Sequence, residues 1–316
     1  MAELSVSVVI GVHNGAHHLV RTLDSVLSQN GVDLEVIVVD DGSVDSTPEI
    51  LRACSQRDPR LRIVTFAHNR GLTEALIAGC ADARGRYIAR QDAGDRSLPG
   101  RLADQAAWLD AHPGAALVSC HTRFIGLYGD PLYDVLIPEQ ELRTTLVSGV
   151  AGGFRGPSHH GSVMMRADAY RRVGGYRQPF VVAQDLDLWL RLSEAGDVGV
   201  LDRIAYESVA SPTGISAQRN ALQAHLATLA AELARLRRAG GDEAGALAGY
   251  SPPSAGSLVS DGPLMKRYRY AAYTYFLGRC ITGSNPAGAR RYFMAGLARC
   301  PWHLRSWYGL AACAFR

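Results

Sequence analysis

Four turns in the first hundred residues carry the side chains that could do chemistry, and each follows a stretch predicted as a β-strand. They span residues 11–15, 40–43, 68–71 and 91–95. Glycines let a backbone approach a ligand closely, carboxylates bind divalent cations, and basic side chains bind phosphate. In an open α/β sheet, ligands bind beyond the carboxyl ends of the strands. The turns therefore predict a shared site, and three of them carry groups suited to a nucleotide or its phosphates.

Each turn also has a purely structural explanation. Asp, Gly and Ser favour turns for conformational reasons of their own, so residues 40–43 alone fit an ordinary turn as well as a site. Asp92 and Asp95 alone fit a solvated loop or a cap for the helix predicted from Pro99, and residues 68–71 alone favour a structural role. Their occurrence in order, at consecutive strand ends, favours a binding site.

Spacing excludes several other kinds of site. Residues 11–15 match neither the G-x-G-x-x-G dinucleotide loop nor the G-x-x-x-x-G-K-[ST] phosphate loop, and Lys266 is the only lysine. The histidines and the six cysteines lack zinc-ligand spacing, and no G-x-S-x-G elbow occurs. We therefore expect neither a dehydrogenase nor a P-loop enzyme, and no zinc site.

Alternating strands and helices position these turns. Strands are predicted at residues 6–10, 34–39, 61–66, 86–90 and 116–120. Helices are predicted at residues 16–29, from Thr47 onward, at 71–83 and at 99–111. The second helix has a predicted capping hydroxyl on Thr47 and Pro48 at its first position. This alternation indicates an α/β fold with a mostly parallel sheet flanked by helices.

The remainder of the chain predicts a different organisation. Residues 126–215 are turn-rich, with one clear helix at 186–192 in which Trp189 has the spacing of a core residue. An arginine-bearing helix at 217–239 fits a solvated face or, less well, a membrane-surface role. Residues 240–262 are rich in Gly, Ala, Ser and Pro and predict a flexible linker. Helices at 264–282 and 286–315, the last broken at Pro301, form a C-terminal helical region.

Composition sets broad limits. The 316 residues are 47% apolar and 20% charged with a net charge of +3, which is typical of a globular protein and too mild to favour nucleic acid as a main partner. The mean hydropathy is −0.03. No C-x-x-C pair, basic leader or long apolar stretch occurs. We therefore expect a cytoplasmic protein with reduced cysteines, with peripheral contact at the inner face of the membrane as an open alternative.

Five ordered motifs give the chain a resemblance to family 2 glycosyltransferases with the GT-A fold. They are residues 6–14, 38–47, 69–72 together with 85–89, 160–164 and 184–192. The resemblance covers roughly residues 4–216, which implies a GT-A domain at 1–216. The connecting helix at 217–239, the linker at 240–262 and the helical region at 263–316 would follow it along the chain. Packing on the GT-A domain, dimerisation and partner binding all remain open for that last region.

The resemblance also implies a role for individual residues. Asp41 would bind the nucleoside base, Asp40 and His13 would lie beside it, and Arg70 would approach the base or the diphosphate. The implied nucleotide-sugar-binding set is Gly11, His13, Asn14, Asp40, Asp41, Arg70 and Asp92. Asp92 and Asp95 would hold a divalent cation, Mn²⁺ or Mg²⁺, and His160 and Gln184 would lie on the acceptor side. Asp185 would be the catalytic base, in preference to Asp187.

These residue types suit the chemistry. A cation held by carboxylates stabilises the charge of a departing diphosphate, and a carboxylate can deprotonate an attacking hydroxyl. One displacement with one base inverts the anomeric centre, whereas retention by double displacement needs an enzyme nucleophile. Gly94 replaces the usual middle aspartate of the family motif, which puts the metal requirement in doubt, and Gln184 replaces the usual glutamate.

We therefore predict an inverting glycosyltransferase. We expect it to be non-processive, because the Q-x-x-R-W pattern of processive synthases is absent. It would move one sugar from a nucleotide-diphosphate donor, expected to be UDP-linked, to a glycan or glycolipid acceptor in cell-surface polysaccharide synthesis. The main alternative is a nucleotide-sugar-binding scaffold or regulator without catalysis. A nucleotidyltransferase fits less well, because the activating Gly/Lys-rich loop is missing. A homodimer is a further open possibility.

Overall fold

The computed structural model describes residues 4–148, 156–211, 220–250 and 262–314, and the chain divides into two compact units. Unit 1 comprises Met1–Thr122, Val135–Ser208 and Gln223–Tyr250, and unit 2 comprises Arg123–Asp134, Val209–Leu222 and Ser251–Arg316. Each unit is thus built from stretches that are separated in sequence. The domain boundary predicted at residue 216 lies outside the described residues.

Nine strands form one sheet in the described part of the chain. The strands are β1 Val6–Val12, β2 Leu34–Asp40, β3 Leu61–Thr65, β4 Tyr87–Arg90, β5 Arg96–Ser97, β6 Ala115–Ile125, β7 Pro131–Val135, β8 Met164–Arg166 and β9 Asp197–Val209. Their order is β3-β2-β1-β4-β8-β6-β9-β5, with β7 paired to β6.

Twelve helices accompany these strands among the described residues. They are α1 Leu19–Leu27, α2 Thr47–Arg57, α3 Leu72–Ala81, α4 Arg101–Ala111, α5 Glu139–Ser148, α6 Ala167–Arg172, α7 Gln184–Ala195, α8 Asn220–Arg238, α9 Glu243–Ala248, α10 Pro263–Ile281, α11 Pro286–Arg299 and α12 Leu304–Ala314. A single 3₁₀ turn covers His160–Ser162. No helix of the described residues has the length and apolar composition that crossing a bilayer requires.

The predicted parallel sheet is confirmed for its first four strands. β1 pairs in parallel with β2 and β4, and β2 pairs in parallel with β3. Every residue of β1 and β2 is buried, because helices cover both faces of this part of the sheet. The sheet as a whole is mixed, since β8 runs antiparallel to β4 and β6, and β5 runs antiparallel to β9.

Residues 126–211 hold more regular structure than their turn-rich sequence predicts. β8 has three residues and α6 has six, which is too short for a periodic pattern. β9 is thirteen residues long, but exposed Asp202 and Arg203 interrupt its buried positions. The predicted helix around Trp189 is confirmed as α7, and Trp189 is buried.

Helix α2 begins at Thr47 as predicted, but the predicted cap is wrong. The Thr47 hydroxyl accepts the backbone N–H of Gly15 at 2.9 Å, so it does not cap its own helix. A carboxylate oxygen of Asp45 instead accepts the backbone N–H of Thr47 at 3.0 Å. Thr47 therefore ties the turn after β1 to the start of α2.

Part of the predicted linker is ordered structure in unit 1. Residues 240–250 include α9, whose Glu243 accepts a hydrogen bond from Arg177 at 2.7 Å, while residues 251–261 lie outside the described residues. Arg237 and Arg238 of α8 both pair with Glu194. These internal ion pairs argue against the membrane-surface role considered for that helix.

Unit 2 contains the three C-terminal helices. They pack around a core that includes Leu277 and Phe293, and Tyr292 donates a hydrogen bond to Asp130 at 3.0 Å. The predicted break at Pro301 is confirmed, because α11 ends at Arg299 and α12 begins at Leu304.

Candidate active site

The turns after β1 and β2 interlock at the carboxyl edge of the sheet. The Nδ1 atom of His13 lies 2.9 Å from the backbone oxygen of Asp41. The backbone N–H of Asn14 donates to the Ser43 hydroxyl at 2.9 Å, and its side-chain oxygen accepts the N–H of Val44 at 2.9 Å. Asn14 has a φ of 53°, a conformation that asparagine tolerates better than most residues. Two predicted donor-side turns thus form one surface.

Asp40 shapes the second of these turns from inside. It is buried, and its carboxylate accepts the backbone N–H of Ser43 at 3.0 Å. The turn between them needs glycine at position 42, where φ is +67° and a Cβ would lie 2.4 Å from the carbonyl carbon of His68. In the described structure Asp40 therefore organises the turn, and its predicted nucleotide contact stays a prediction.

Asp41 connects β2 to the third turn. Its two carboxylate oxygens accept the backbone N–H groups of Arg70 and Gly71, at 2.6 and 2.8 Å. Because a carboxylate oxygen can accept more than one hydrogen bond, these contacts leave acceptor capacity on Asp41. The Arg70 guanidinium pairs with Glu74 at 2.7 Å and lies 4.6 Å from the centre of the Phe66 ring. Arg70 thus lies on the rim of the surface formed by the first two turns.

The turn after β4 brings two acidic groups together. The Tyr206 hydroxyl, on β9, donates to an oxygen of Asp95 at 3.0 Å and accepts the backbone N–H of Asp92 at 3.0 Å. Buried Arg90 forms an ion pair with Asp92. Asp95 is buried, whereas Asp92 is partly exposed. One tyrosine hydroxyl therefore fixes both ends of the predicted metal turn.

His159 completes this group and was not predicted. Its Nδ1 atom lies 3.6 Å from an oxygen of Asp92 and 3.7 Å from an oxygen of Asp95, and it accepts the backbone N–H of Gly161 at 3.0 Å. Its ring stacks on Tyr206 with the ring centres 5.3 Å apart, and its Nε2 lies 3.1 Å from the Ser208 hydroxyl.

Potential ligand atoms of Asp92, Asp95 and His159 all lie within 4.8 Å of one another. Two carboxylates and an imidazole form a donor set that suits Mn²⁺ and related divalent ions. The residues present therefore fit a divalent cation, and both predicted metal ligands belong to the group. The identity of the ion stays a prediction.

Gly94 has a backbone reason to be glycine. Its φ is +105°, and its N–H donates to the Thr22 hydroxyl at 2.9 Å. An aspartate at this position would be strained, although a Cβ would meet nothing closer than 3.9 Å. Asp95, one position further on, is the carboxylate that lies beside Asp92 and His159.

Asp185 and Asp187 have different surroundings at the start of α7. Asp187 is buried and pairs with both Arg177 and Arg191, which is a structural role. Asp185 is partly exposed and accepts the backbone N–H of Leu186 at 2.8 Å. The preference for Asp185 over Asp187 is consistent with this geometry.

Burial raises the pKa of Asp185, and the negative charge of Asp92 raises it further. Burial would also raise the pKa of Asp92, but the positive charge of Arg90 and its hydrogen bond to Asp92 lower the pKa of Asp92 to about 2. Asp185 and Asp92 thus lie close enough for their charges to interact. The two carboxyls have pKa values displaced in opposite directions, which is typical of groups with different chemical tasks.

The two predicted acceptor-side residues lie next to this group. The Nε2 atom of His160 lies 2.7 Å from the Tyr176 hydroxyl, and its ring is edge-on to Trp189. Burial and the charge of Arg90 lower the pKa of His160 to about 3. Gln184 is buried, and its side-chain oxygen has no hydrogen-bond partner among the described residues. Their acceptor roles remain predictions.

The sequence predicted Asp92 and Asp95 of this group, but not His159 or Tyr206, which come from the turn before β8 and from β9. The only sequence feature that pointed to His159 was the adjacent pair His159-His160, and a role was predicted only for His160. Tyr206 gave no signal, because β9 was not recognised as a strand.

The sequence model for Glycosyl transferase family 2 matches residues 7–174 of this chain. EpsE of Bacillus subtilis, whose name describes it as a glycosyltransferase, is 34% identical over 196 residues, which cover 60% of this chain and 67% of EpsE. The succinoglycan biosynthesis protein ExoO of Rhizobium meliloti is 39% identical over 127 residues, which cover 40% of this chain and 36% of ExoO.

Solved structures share the fold. S. aureus TarS 1-349 in complex with UDP has a TM-score of 0.57 at 17% identity, covering 95% of this chain and 89% of that one. The mannosyltransferase PcManGT from Pyrobaculum calidifontis, in complex with GDP-Man and Mn²⁺, has a TM-score of 0.53 at 21% identity, covering 98% and 86%. The family model covers more than half of the sequence, and this chain therefore belongs to glycosyl transferase family 2.

Proposed function

We propose that this glycosyltransferase moves a single sugar from a nucleotide-diphosphate donor to a hydroxyl of a glycan or glycolipid, with inversion, in polysaccharide synthesis. The observation that carries the proposal is the convergence of Asp92, Asp95 and His159, with Asp185 close enough to interact electrostatically with Asp92. A UDP-linked donor is the favoured one. The TarS complex with UDP and the role of ExoO in succinoglycan biosynthesis, as its name states it, support the donor class and the pathway.

The nucleotide would lie on the surface formed by the first three turns. His13 and Asn14 border this surface, and the backbone at Gly11 leaves no room for a side chain there, since a Cβ would lie 2.9 Å from Leu72. Asp41 holds the amides of residues 70 and 71 in place and keeps acceptor capacity for a base N–H. Arg70, on the rim, would meet the negative charge of the diphosphate.

Asp92, Asp95 and His159 would hold a divalent cation. When bound, such an ion stabilises the charge that develops on a departing diphosphate. The chain's own residues prepare this site, because Arg90 holds the pKa of Asp92 low and Tyr206 donates a hydrogen bond to Asp95. Chelation by EDTA, followed by readdition of Mn²⁺, is expected to abolish and restore transfer. Full activity in excess chelator would contradict this assignment.

Asp185 would accept the proton of the attacking hydroxyl. A raised pKa makes its carboxylate a stronger base than an ordinary aspartate wherever the pH exceeds that pKa. The base must be ionised, so transfer should fall as the pH decreases through the raised pKa. The acid limb of kcat/KM should therefore lie above the ordinary aspartate value of 3.8.

The decisive test compares Asp185→Asn with a matched control. General-base catalysis is worth about 10²–10⁴-fold, so Asp185→Asn should lower kcat by that range with donor affinity retained. Asp168→Asn makes the same change at an exposed position and should leave transfer unchanged. Full activity of Asp185→Asn would contradict the assignment of the base.

A binding protein without catalysis is the alternative that the Gly94 and Gln184 departures favour. Calorimetry with UDP-sugars and GDP-sugars, run beside a transfer assay on a panel of acceptors, separates the two functions. Donor binding without turnover or donor hydrolysis would support the scaffold, whereas hydrolysis that Asp185→Asn removes would support the enzyme.

A further inference from the structure

Charge is distributed very unevenly along the chain. Nine of the 33 Lys and Arg residues, and none of the 30 Asp and Glu residues, fall within residues 262–316. That segment therefore carries +9, while residues 1–261 carry −6. The mild net charge of +3 conceals this segregation. A segment so charged attracts anionic surfaces within about a Debye length, which is roughly 8 Å at physiological ionic strength.

Helix α12 exposes three of its large apolar side chains, although Leu310 and Cys313 on the same helix pack in the core of unit 2. Leu304, Trp307 and Tyr308 are 79%, 54% and 66% exposed, and their spacing of three and four residues places them on one face. The buried positions of the same helix include polar Ser306 and small Gly309. A helix that only served the core of its unit would carry polar residues at these exposed positions.

The first turns of α10 are exposed on all sides and combine the same two properties. Residues 264–268 read Leu-Met-Lys-Arg-Tyr, and each of these side chains is exposed. Leu264 alone is 66% exposed. Aliphatic, aromatic and basic groups thus extend together from the end of the helix.

These two exposed parts meet within unit 2. Arg267 of α10 lines one surface cavity with Arg299, Pro301 and Trp302. The Trp307 ring N–H donates to the backbone oxygen of Pro301 at 2.8 Å. We refer to the exposed side chains of residues 264–268 and 302–308, together with Arg299, as the basic aromatic face. It contains four cations, namely Lys266, Arg267, Arg299 and Arg305.

We propose that the basic aromatic face docks on the surface of a bilayer that contains anionic lipids. Trp and Tyr prefer the boundary between headgroups and hydrocarbon, and aliphatic side chains such as Leu304 enter the hydrocarbon. Lys and Arg beside them bind anionic headgroups. The face would lie in the interface without crossing it, in keeping with the absence of a spanning helix among the described residues.

Charge argues against a second copy of the chain as the occupant. A symmetric contact through this face would bring the four cations against their counterparts, and residues 262–316 contain no acidic group to offset them. Nucleic acid would satisfy the charge but not the exposed aliphatic side chains Leu264, Met265 and Leu304. The proposal is independent of the sugar-transfer chemistry, which concerns unit 1.

Co-sedimentation of the full chain with lipid vesicles tests the proposal. The probes are vesicles of phosphatidylcholine alone and of phosphatidylcholine mixed with phosphatidylglycerol, each at low and high salt. We expect binding only to the anionic vesicles, weakened by salt. Two of the four tryptophans lie on the face, so their emission should shift to the blue on binding, and Trp302→Phe with Trp307→Phe should remove that shift.

Two pairs of variants separate charge from apolar contact. Lys266→Glu with Arg267→Glu should lower the vesicle partition coefficient at least tenfold, because each basic residue near an anionic surface contributes about fivefold. Trp302→Ser with Leu304→Ser should weaken binding at both salt concentrations. Arg279→Glu, at the other end of α10, and Leu136→Ser, an exposed apolar position in unit 1, are the matched controls.

Each outcome decides the proposal. Binding that is selective for anionic vesicles and is lost in both variant pairs but not in the controls supports it. No vesicle binding, equal binding to both vesicle types, or unchanged binding by the variants overturns it. So does sedimentation-velocity evidence that the variants disrupt self-association, or gel-shift evidence that they disrupt nucleic-acid binding, in a chain that does not bind vesicles.

Discussion

The candidate active site and the basic aromatic face use charge in opposite ways. Around Asp92, Asp95 and His159, charged and polar groups are buried or half-buried and bound to named partners, such as Arg90 and Tyr206. On the basic aromatic face, cations and apolar rings extend outward together. A buried charge is costly unless it is paired, whereas an exposed cation costs little and remains available for a partner. The first arrangement suits chemistry, and the second suits attachment.

The largest expected loss of stability concerns the ion pairs that Asp187 forms with Arg177 and Arg191. Asp187→Ala should lower the free energy of unfolding by about 3–5 kcal/mol, because it leaves buried Arg191 without its carboxylate, while half-buried Arg177 keeps only Glu243. Chemical denaturation measures this. Asp168→Ala, which removes an exposed carboxylate, is the control, and equal losses for the two would mean that the buried network contributes nothing special.

A smaller effect is expected at the hydroxyl that joins the two acidic groups. Tyr206→Phe removes the hydrogen bond to the Asp95 carboxylate. It should lower the free energy of unfolding by about 1.5–3 kcal/mol, because hydrogen bonds to charged groups are stronger than those between neutral groups. Mn²⁺ affinity, measured by calorimetry, should fall with it. Tyr275→Phe is a control in unit 2. Unchanged Mn²⁺ affinity in a folded Tyr206→Phe protein would show that the tyrosine does not orient the acidic pair.

The next prediction concerns Gly42, whose backbone conformation in the turn after β2 favours glycine. Gly42→Ala should lower the free energy of unfolding by about 1–3 kcal/mol, because the φ of +67° disfavours a side chain and a Cβ would clash with the His68 backbone. Donor affinity should weaken too. Thermal unfolding with and without UDP checks both effects. Gly129→Ala, also at positive φ but with nothing within 4 Å, isolates the strain from the clash, and equal shifts for both would eliminate the clash as a cause.

The smallest expected change in stability concerns the basic aromatic face. Trp302→Ser with Leu304→Ser should change the free energy of unfolding by no more than about 0.5 kcal/mol per substitution, because exposed side chains away from buried contacts rarely matter for stability. Transfer to a water-soluble acceptor should be unchanged. A large loss of stability would show that this face belongs to the core of unit 2 and not to a docking surface.

Sequence reasoning succeeded where a signal is local. The apolar runs of β1 and β2 and the turns that follow them could be located because burial on both faces leaves an unbroken hydrophobic pattern. The choice between Asp185 and Asp187 depended on motif order alone, and the ion pairs of Asp187 supply a physical reason that the sequence does not contain. His159 and Tyr206 were missed because their importance depends on contacts with residues more than sixty positions away.

By itself the sequence determined the α/β class, the family, the positions of the turns after the first strands and the segregation of positive charge, since each follows from residue types that are close together along the chain. Only the tertiary structure decided that β9 returns to bring Tyr206 and Ser208 to His159, that Asp95 lies beside Asp92 and His159, and that α12 exposes Leu304, Trp307 and Tyr308. These outcomes depend on long-range packing, in which a side chain's neighbours are set by how strands and helices fold against one another.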